Sequence, residues 1–351
     1  IIVAAGNPPE YNKSVREFDV VTLDRLKKMD VEANFEVWKE YAYQQGIHPA
    51  VISYLELRKQ NFYRIETTVD GKQFATARGW EDLSQLIQVY ESIEKKVDRD
   101  VVFQYIQHRK IAKDFANYLE LYNKYKTEYG IEEILAGKWS PITLQKIRGA
   151  ALDEHFSVVS LLSGRVGELF AECYKRDAYV SKTYEYVKYY RDHEERLTVE
   201  AVCYKAEEEF GLLCKEELLT RKEGQIWKMV LEFLDRAVME VRGGAQKKGT
   251  SYEQVKKMFE KEAENLEELC VTAKETLQNA FDFLEAAFGE SQEMIFFVTE
   301  LNSNSYAMWF IQENGSDSYY RYNKGVLFEQ RQMEILGEME GVEAALERGI
   351  Y

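Results

Sequence analysis

The scarcity of proline is the sequence feature that most constrains this chain. The 351 residues contain 4 prolines, and three of them, Pro8, Pro9 and Pro49, lie before residue 50. Because proline lacks a backbone donor and clashes with the preceding helical turn, its rarity permits long uninterrupted helices. Only Pro141 interrupts the remainder, so the sequence predicts a mainly α fold.

Apolar residues recur at spacings of three and four over long spans of the second half of the chain. One span runs from Phe156 to Val187, a second from Val199 to Leu218 and a third from Val255 to Phe288. At 1.5 Å per residue the third predicts a helix about 50 Å long. Glu and Lys mix on the outer faces, which is typical of an antiparallel bundle or a coiled coil. Residues 139–351 are therefore predicted to be a long-helix extension.

One segment of this extension has an ambiguous pattern. Met294–Thr299 and Tyr306–Ile311 have a strand-like composition, yet Asn304 or Ser305 could cap a helix that Gly315 ends. The spacing of the aromatic and aliphatic residues that follow favours helix, and helix is our prediction for this segment.

Residues 34–138 carry the signals of a smaller helical domain with one β-hairpin. Asn34 is a good cap for a first helix, and Pro49 suits the first turn of a second. Asp70-Gly71 between two β-prone runs predicts a hairpin turn. Further helices are predicted over Trp80–Lys95, from about Asp100, over Ile111–Tyr129 and over Ile131–Ala136. Trp139-Ser140-Pro141 marks the predicted boundary with the extension.

The first residues follow a different pattern. Ile1–Ala5 is an apolar run of the kind that forms a strand buried in a parallel sheet, and a second strand is predicted at Lys27–Val31. No run of alternating strands and helices follows to complete such a sheet. Residues 1–33 are therefore predicted to be a small remnant of an α/β core. We expect Ile1–Ala5 to be displaced, swapped or weakly paired.

Charge and hydropathy narrow the class of partner. Lys and Arg number 46 against 61 Asp and Glu, a net charge of -15, which disfavours nucleic acids and anionic membrane surfaces. The longest basic stretch, Arg242–Lys248, is short and predicts a solvated turn. No apolar stretch approaches the roughly 20 residues that span a bilayer, and no secretory signal precedes the chain's first polar loop. We expect a soluble, cytoplasmic protein without a membrane span or a nucleic-acid partner.

The usual catalytic and metal-binding motifs are absent from the sequence. Four cysteines lie far apart in helical patterns, without metal-ligand spacing, and are expected to be buried reduced thiols: Cys173, Cys203, Cys214 and Cys270. His193-Glu194-Glu195 is not a zinc-binding HExxH motif because position 197 is Leu. Ser163–Gly167 (SGRVG) is not a nucleophile elbow, since the helical period continues through it.

Three polar residues stand at positions where they could meet an anion. Asn7 directly follows the predicted buried strand, where an amide can orient water or a phosphate oxygen, although Asn-Pro also forms turns. Arg25 has Asp24 beside it, as in many solvated ion pairs. Arg78 lies at the threshold of a predicted helix, where its guanidinium could reach a bound anion. Taken singly, each residue is better explained by a structural role than by anion binding.

Their order along the chain resembles a known pattern. The segments AAGNPPEYN, VTLDRLKKMDVE and FATARGWEDLS are similar to the sensor 1, arginine finger and sensor 2 regions of MoxR-like AAA+ ATPases. The resemblance covers roughly residues 1–110. It implies the end of an AAA+ core at 1–33, a helical lid with a β-hairpin at 34–138, and an extension at 139–351 that binds a partner or supports assembly.

The resemblance also implies roles for these residues in an intact ATPase. Asn7 would be sensor 1 and position the attacking water, Arg25 would reach the nucleotide of a neighbouring subunit as the arginine finger, and Arg78 would contact the nucleotide as sensor 2. The implied cofactors are ATP and Mg²⁺. The implied partners are other copies in a homo-oligomeric, hexameric ring and a remodelled protein, for which the family often uses von Willebrand factor A domain proteins.

Two parts of the family pattern are missing from these 351 residues. There is no GxxxxGK[ST] phosphate loop and no apolar strand ending in Asp-Glu to hold Mg²⁺. The family carries both upstream of the sensor 1 strand, so we expect a C-terminal portion of such an ATPase or a degenerate relative. By itself this chain should neither hydrolyse ATP nor bind it tightly. The alternative is a non-enzymatic helical scaffold for protein interactions.

Overall fold

The computed structural model describes residues 31–68, 71–243 and 251–324, together with residues 6, 21, 24–27 and 29. This part of the chain is mainly helical and contains one two-stranded antiparallel sheet, as predicted. Ile1–Ala5 lies outside the described residues. The predicted strand at Lys27–Val31 is wrong where it can be seen, because Lys27, Met29 and Val31 are exposed and in no strand. Its apolar residues alternate with charges, and the one sheet among the described residues is the β1–β2 hairpin, which does not include this segment.

The first helices and the hairpin occupy the region predicted for the lid. Asn34 caps α1 by accepting a hydrogen bond from the Val37 amide at 3.2 Å, and Gly46 ends that helix with a φ of 69°. In the hairpin, Arg64 pairs with Ala75 at the open end. The elements are α1 Phe35–Gln45, α2 Pro49–Leu57, a 3₁₀ turn Lys59–Asn61, β1 Arg64–Thr68, β2 Gly71–Ala75, α3 Ala77–Ser92, α4 Arg99–Tyr105, α5 Arg109–Glu128 and α6 Ile131–Leu135.

Longer helices follow. The first and third periodic spans each form one continuous helix, whereas the second, predicted over Val199–Leu218, forms a helix that ends at Lys215 and leaves Leu218 outside it. The elements are α7 Pro141–Arg148, α8 Leu152–His193, α9 Val199–Lys215, α10 Arg221–Gly243, α11 Ser251–Phe288, α12 Gln292–Ser303 and α13 Ser305–Asn314; residues 317–324 are also helical. The ambiguous segment is helical, because the side chain of Asn304 accepts hydrogen bonds from Tyr306 and Ala307 at the start of α13. Among the described residues, no helix has the length and apolar character to cross a membrane.

Helices α8 and α11 form an antiparallel pair that runs through the fold. Ring contacts between them occur in reversed chain order, with His155 against Phe288, Tyr184 against Phe259 and Tyr190 against Tyr252. With 42 and 38 residues, these helices are about 63 and 57 Å long. The two helices cannot bury the apolar faces of such long elements by themselves. Other helices therefore pack along both ends of the pair.

Two separate clusters of buried side chains lie along this pair. The first joins α1–α7 with the N-terminal half of α8, the C-terminal half of α11, α12 and α13. The second joins α9 and α10 with the opposite halves of the long helices. Arg176 and Arg236 pair with Glu262 at 3.5 and 3.0 Å near the division. Buried residues from both sides of Trp139 belong to the first cluster, and the division into three domains remains a prediction.

Candidate functional site

Arg78 lies in the first turn of α3, and three contacts fix the position of this helix start. The Thr76 hydroxyl caps this helix by accepting a hydrogen bond from the Gly79 amide at 3.2 Å. A Cβ on Gly79 would lie 2.8 Å from the carbonyl oxygen of Tyr105, so only glycine lets α3 approach α4 this closely. Trp80 is fully buried and donates a hydrogen bond to the Phe62 carbonyl at 3.1 Å. The helix start is therefore held by a cap, a close approach and an aromatic anchor.

The Arg78 side chain itself is exposed, and it makes no hydrogen bond or ion pair with any described residue. Its five N–H donors are consequently available at the positive end of a 16-residue helix. This arrangement favours an anion. Arg25 is also exposed and makes no ion pair with Asp24, while Asn7 lies outside the described residues. No described contact joins Arg25 to Arg78.

A second candidate site is a groove of about 360 Å³ that sequence reasoning did not find. Its floor is one face of α8, from Ser160 to Lys175, at the helical spacing of three and four. The fifteen rises of 1.5 Å between Ser160 and Lys175 make this floor about 22 Å long. The α1–α2 turn, α10 and the α12–α13 junction supply the walls, including Ile52, Ile226 and Asn304.

Two glycines of α8 allow the walls to approach the floor closely. A Cβ on Gly164 would lie 2.7 Å from the Cβ of Pro49, and a Cβ on Gly167 would lie 2.7 Å from the Asn304 amide nitrogen. Ser163–Gly167 is thus helical, in agreement with the sequence analysis, and serves close packing. The Ser160 hydroxyl at the other side of this region is buried and makes no hydrogen bond among the described residues.

Next to the groove, a buried ionic cluster ties the first helices to α12. Lys39 Nζ lies 2.7 Å from Glu56 Oε2 and 2.5 Å from Glu300 Oε1, and the Tyr43 hydroxyl donates a hydrogen bond to Glu300. Burial alone would lower the pKa of Lys39, but the carboxylates of Glu300 and Glu56 outweigh it and raise that pKa. Burial and then Glu300 raise the pKa of Tyr43 well above its usual value.

The same balance acts on Glu56. Burial by itself would raise the pKa of this carboxyl, and the neighbouring Lys39 ammonium reverses the effect and lowers it. Lys59 adds a second ion pair at 3.0 Å. Glu56 is therefore held in its charged form, and the cluster stays ionised within the protein because every charge has an opposite partner.

Three histidines, which are scattered in the sequence, each meet a carboxylate in the fold. His48 Nε2 lies 3.3 Å from Glu91, His108 Nε2 lies 3.1 Å from Glu66, and His155 Nδ1 lies 2.8 Å from Glu293. The His108 pair is close in distance but not aligned as a hydrogen bond. The Nδ1 atoms of His48 and His108 also cap α2 and α5. Their positions just before predicted helices were the available sequence signal for this role.

Two of the four cysteines differ from the expectation that all are buried. Cys173 and Cys203 are buried, but Cys214 is exposed and Cys270 is half-buried. Cys214 lies near the C-terminal end of α9, between the partly buried Leu213 and the exposed Lys215. Cys203, Glu207 and Asp235 bring their ligand atoms within 4.8 Å of one another. A hydrogen bond from Cys203 to Asp235 at 3.4 Å accounts for this cluster, and burial raises the pKa of the Cys203 thiol to about 12.

Comparison of the chain with family models, curated proteins and solved structures finds no match.

Proposed function

We propose that this chain is the C-terminal part of a MoxR-like AAA+ ATPase, which couples ATP hydrolysis to the remodelling of a protein partner. The observation that carries the proposal is the exposed Arg78 guanidinium at the N-terminus of α3, which has no ion pair or hydrogen bond with any described residue. Arg78 belongs to a module of helices with one hairpin, and these elements follow one another along the chain as the family resemblance implies. Charge and donors there suit a phosphate group.

The residues present fit ATP in part. The guanidinium groups of Arg78 and Arg25, which pair with no residue in the part of the chain that the structure describes, are suited to phosphoryl oxygens, whose charge they would neutralise in the intact enzyme. When bound with Mg²⁺, ATP would supply the phosphoryl group whose transfer drives remodelling. The resemblance assigns the Mg²⁺ carboxylates to a strand upstream of sensor 1, so no residue of this chain is given that role. Arg78 would hold the nucleotide against the lid, and Arg25 would act in a neighbouring subunit.

The long-helix bundle is the part we assign to partner binding and assembly. It shares its first core with the lid module, and Lys39 and Glu300 pair across that junction. A change in lid position would therefore displace α12, because Glu300 of that helix is paired with Lys39 of the lid module. A partner held on the bundle would then sense the nucleotide, and a homo-oligomeric ring would bring Arg25 to the next subunit's nucleotide. A von Willebrand factor A domain protein is the partner class that the family resemblance suggests.

The test is nucleotide affinity in the intact gene product, measured with a fluorescent ATP analogue. We expect Arg78→Ala to weaken binding about tenfold or more, because a charge-assisted hydrogen bond contributes about 1.5–3 kcal/mol. Arg99→Ala is the matched control, since Arg99 is another exposed arginine at a helix start in the same module. Equal affinity of the Arg78 variant and the wild-type protein would contradict the assigned role.

A non-enzymatic interaction scaffold is the alternative, and the continuous core across the predicted lid boundary favours it. A scaffold needs a rigid surface and no nucleotide. The two functions differ in one measurement, a pull-down of partners by the intact gene product with and without ATP. Partner binding that changes with ATP supports the ATPase, whereas partner binding that is the same in both conditions supports the scaffold.

A further inference from the structure

Two cysteines meet across the antiparallel pair of long helices. Cys173 of α8 is fully buried, and its Sγ atom lies 4.0 Å from the carbonyl oxygen of Leu269 of α11. Leu269 directly precedes Cys270, so this contact brings the Cys173 thiol to the peptide group next to Cys270. Cys270 is half-buried and packs against the same buried cluster as Cys173, and both residues are free thiols.

The register of the two helices places these cysteines opposite each other. The contacts of His155 with Phe288 and of Tyr184 with Phe259 lie on either side of them. On both helices the cysteine is eighteen residues from the first contact and eleven residues from the second. At about 3.6 residues per turn these steps are five turns and about three turns, so each cysteine shares a helix face with the contacting rings. Equal steps along both helices mean that the two cysteines face each other.

A disulfide can bridge two facing positions of packed helices. Helix axes lie about 8–10 Å apart and Cα atoms lie about 2.3 Å from each axis, which leaves facing Cα atoms roughly 4–6 Å apart. A disulfide requires Cα atoms that are about 4.4–6.8 Å apart. Because these ranges overlap, Cys173 and Cys270 can be joined while the two helices stay packed.

The two thiols differ in access and in their tendency to ionise. Burial and then the neighbouring Cys270 thiol raise the pKa of Cys173 to about 12, which keeps this thiol protonated. Burial also raises the pKa of Cys270, whereas its hydrogen bond with Cys173 lowers it. Because Cys270 is half-buried, a small oxidant can reach its sulfur, and Cys173 is the buried thiol beside it.

We propose that Cys173 and Cys270 form an oxidisable dithiol, which hydrogen peroxide converts to an intramolecular disulfide. The Cys270 thiolate attacks one peroxide oxygen, the O–O bond breaks, and the released hydroxide takes the thiol proton, which gives a sulfenic acid and water. The Cys173 sulfur then attacks the sulfenic sulfur, the S–O bond breaks, and the leaving hydroxide takes the Cys173 proton as a second water. The two thiols lose two electrons, and these electrons reduce the peroxide to two waters.

The new bond would join the long helices at the division between the two buried clusters. Cys173 and Cys270 lie at the end of the first cluster. All residues of the second cluster lie between the two cysteines along the chain, from Tyr179 to Leu266. The disulfide would therefore close a covalent loop that contains the second cluster and would constrain its unfolded state. This inference is independent of the nucleotide role proposed for Arg78.

The experiment treats the folded 351-residue chain carrying Cys214→Ser with hydrogen peroxide, because the exposed Cys214 would otherwise cross-link two molecules. Digestion without reduction, followed by mass spectrometry, identifies the joined peptides. We expect the Cys173–Cys270 disulfide as the main product and its loss on addition of dithiothreitol. Cys203, a buried thiol bonded to Asp235, is the internal control and should stay reduced. Recovery of Cys270 as a sulfinic acid beside a free Cys173 thiol would overturn the proposal.

Thermal unfolding tests whether the bond forms within the native fold. The oxidised chain should unfold at a Tm about 5 °C or more above that of the reduced chain, because a long loop is closed. The matched control adds Cys270→Ala to Cys214→Ser, and peroxide should leave its Tm unchanged. Equal Tm values for the oxidised and reduced chains would overturn the proposal, as would an equal shift in the control.

Discussion

Lys39 on α1 and Glu300 on α12 form an ion pair with 2.5 Å between Nζ and Oε1, although 261 positions separate them in the chain. Their side chains are 2% and 4% exposed. A pair buried this completely is weak evidence for added stability, since the desolvation of both charges offsets their attraction. It does mean that neither partner can be removed alone without leaving a charge in the core.

The first prediction follows from that asymmetry. Glu300→Gln should lower the free energy of unfolding by about 3 kcal/mol, near the low end for a broken buried pair, because Lys39 keeps Glu56 as a partner. Chemical denaturation measures the change. Glu260→Gln is the control, since Glu260 pairs with Lys256 on the surface of α11 and should cost less than about 1 kcal/mol. Similar losses for both variants would contradict the prediction.

The pH dependence of stability should report the same cluster. Because Glu56 has a lowered pKa in the folded protein, its contribution is complete above its ordinary value of 4.5 and is lost as the pH falls through the folded-state value. The raised pKa of Lys39 acts oppositely, and its contribution is lost as the pH rises beyond 10.5. The stability difference between wild type and Glu56→Gln should therefore shrink as the pH falls from 6 to about 3.

The control for this experiment is Glu40→Gln, because Glu40 is exposed and unpaired among the described residues. Its stability difference from the wild-type protein should be small and nearly constant over the same range. A Glu56 variant whose difference stays constant down to acid pH would show that this carboxylate does not gain from Lys39.

Two glycine-to-alanine substitutions should change the stability of the fold in opposite directions. Alanine is favoured over glycine in a helix by about 1 kcal/mol, and Gly211→Ala in α9 should stabilise by about that amount since its Cβ meets nothing within 4 Å. Gly164→Ala should instead destabilise by about 1–3 kcal/mol, because its Cβ would lie 2.7 Å from the rigid Pro49 ring. Thermal unfolding of both variants measures these changes. A Gly164→Ala variant more stable than the wild-type protein would contradict the close contact between Gly164 and Pro49.

His48 should contribute to stability as a helix cap. Its Nδ1 accepts from the Ala50 amide at 3.2 Å, so the ring proton is on Nε2, which faces Glu91. The pKa of Glu91 is lowered chiefly by this contact. We expect His48→Ala to cost about 1–2 kcal/mol in urea denaturation, and His48→Asn to cost less because an amide oxygen can cap α2. His193→Ala, at the exposed end of α8, should change little.

Thiol reactivity should follow burial. Cys214 is exposed and should react rapidly with Ellman's reagent in the native protein. Cys173 should react only after unfolding, because burial raises the pKa of its thiol to about 12 and excludes the reagent. Mass spectrometry of the partly labelled protein identifies the modified residue. Labelling of Cys173 before Cys214 would contradict the packing of α8 against α11.

The sequence by itself determined most of the local structure. Asn34 and Pro49 act on backbone atoms only a few residues away, so the helix starts can be predicted from short segments, and the Asp70-Gly71 dipeptide predicts the hairpin in the same local way. Periodic apolar residues likewise gave α8 and α11 their length. Arg78 was placed at a helix start in the same way, and its role at a nucleotide remains a proposal.

Only the tertiary structure decided how distant segments meet. The pairing of Lys39 with Glu300, the meeting of His155 with Glu293 and the groove beneath Pro49 all depend on which faces of separate helices pack together. The period of an amphipathic helix fixes which face is buried but not the partner that buries it. The predicted strand at Lys27–Val31 failed for the same reason, since a strand is stabilised by neighbours that a local pattern does not specify.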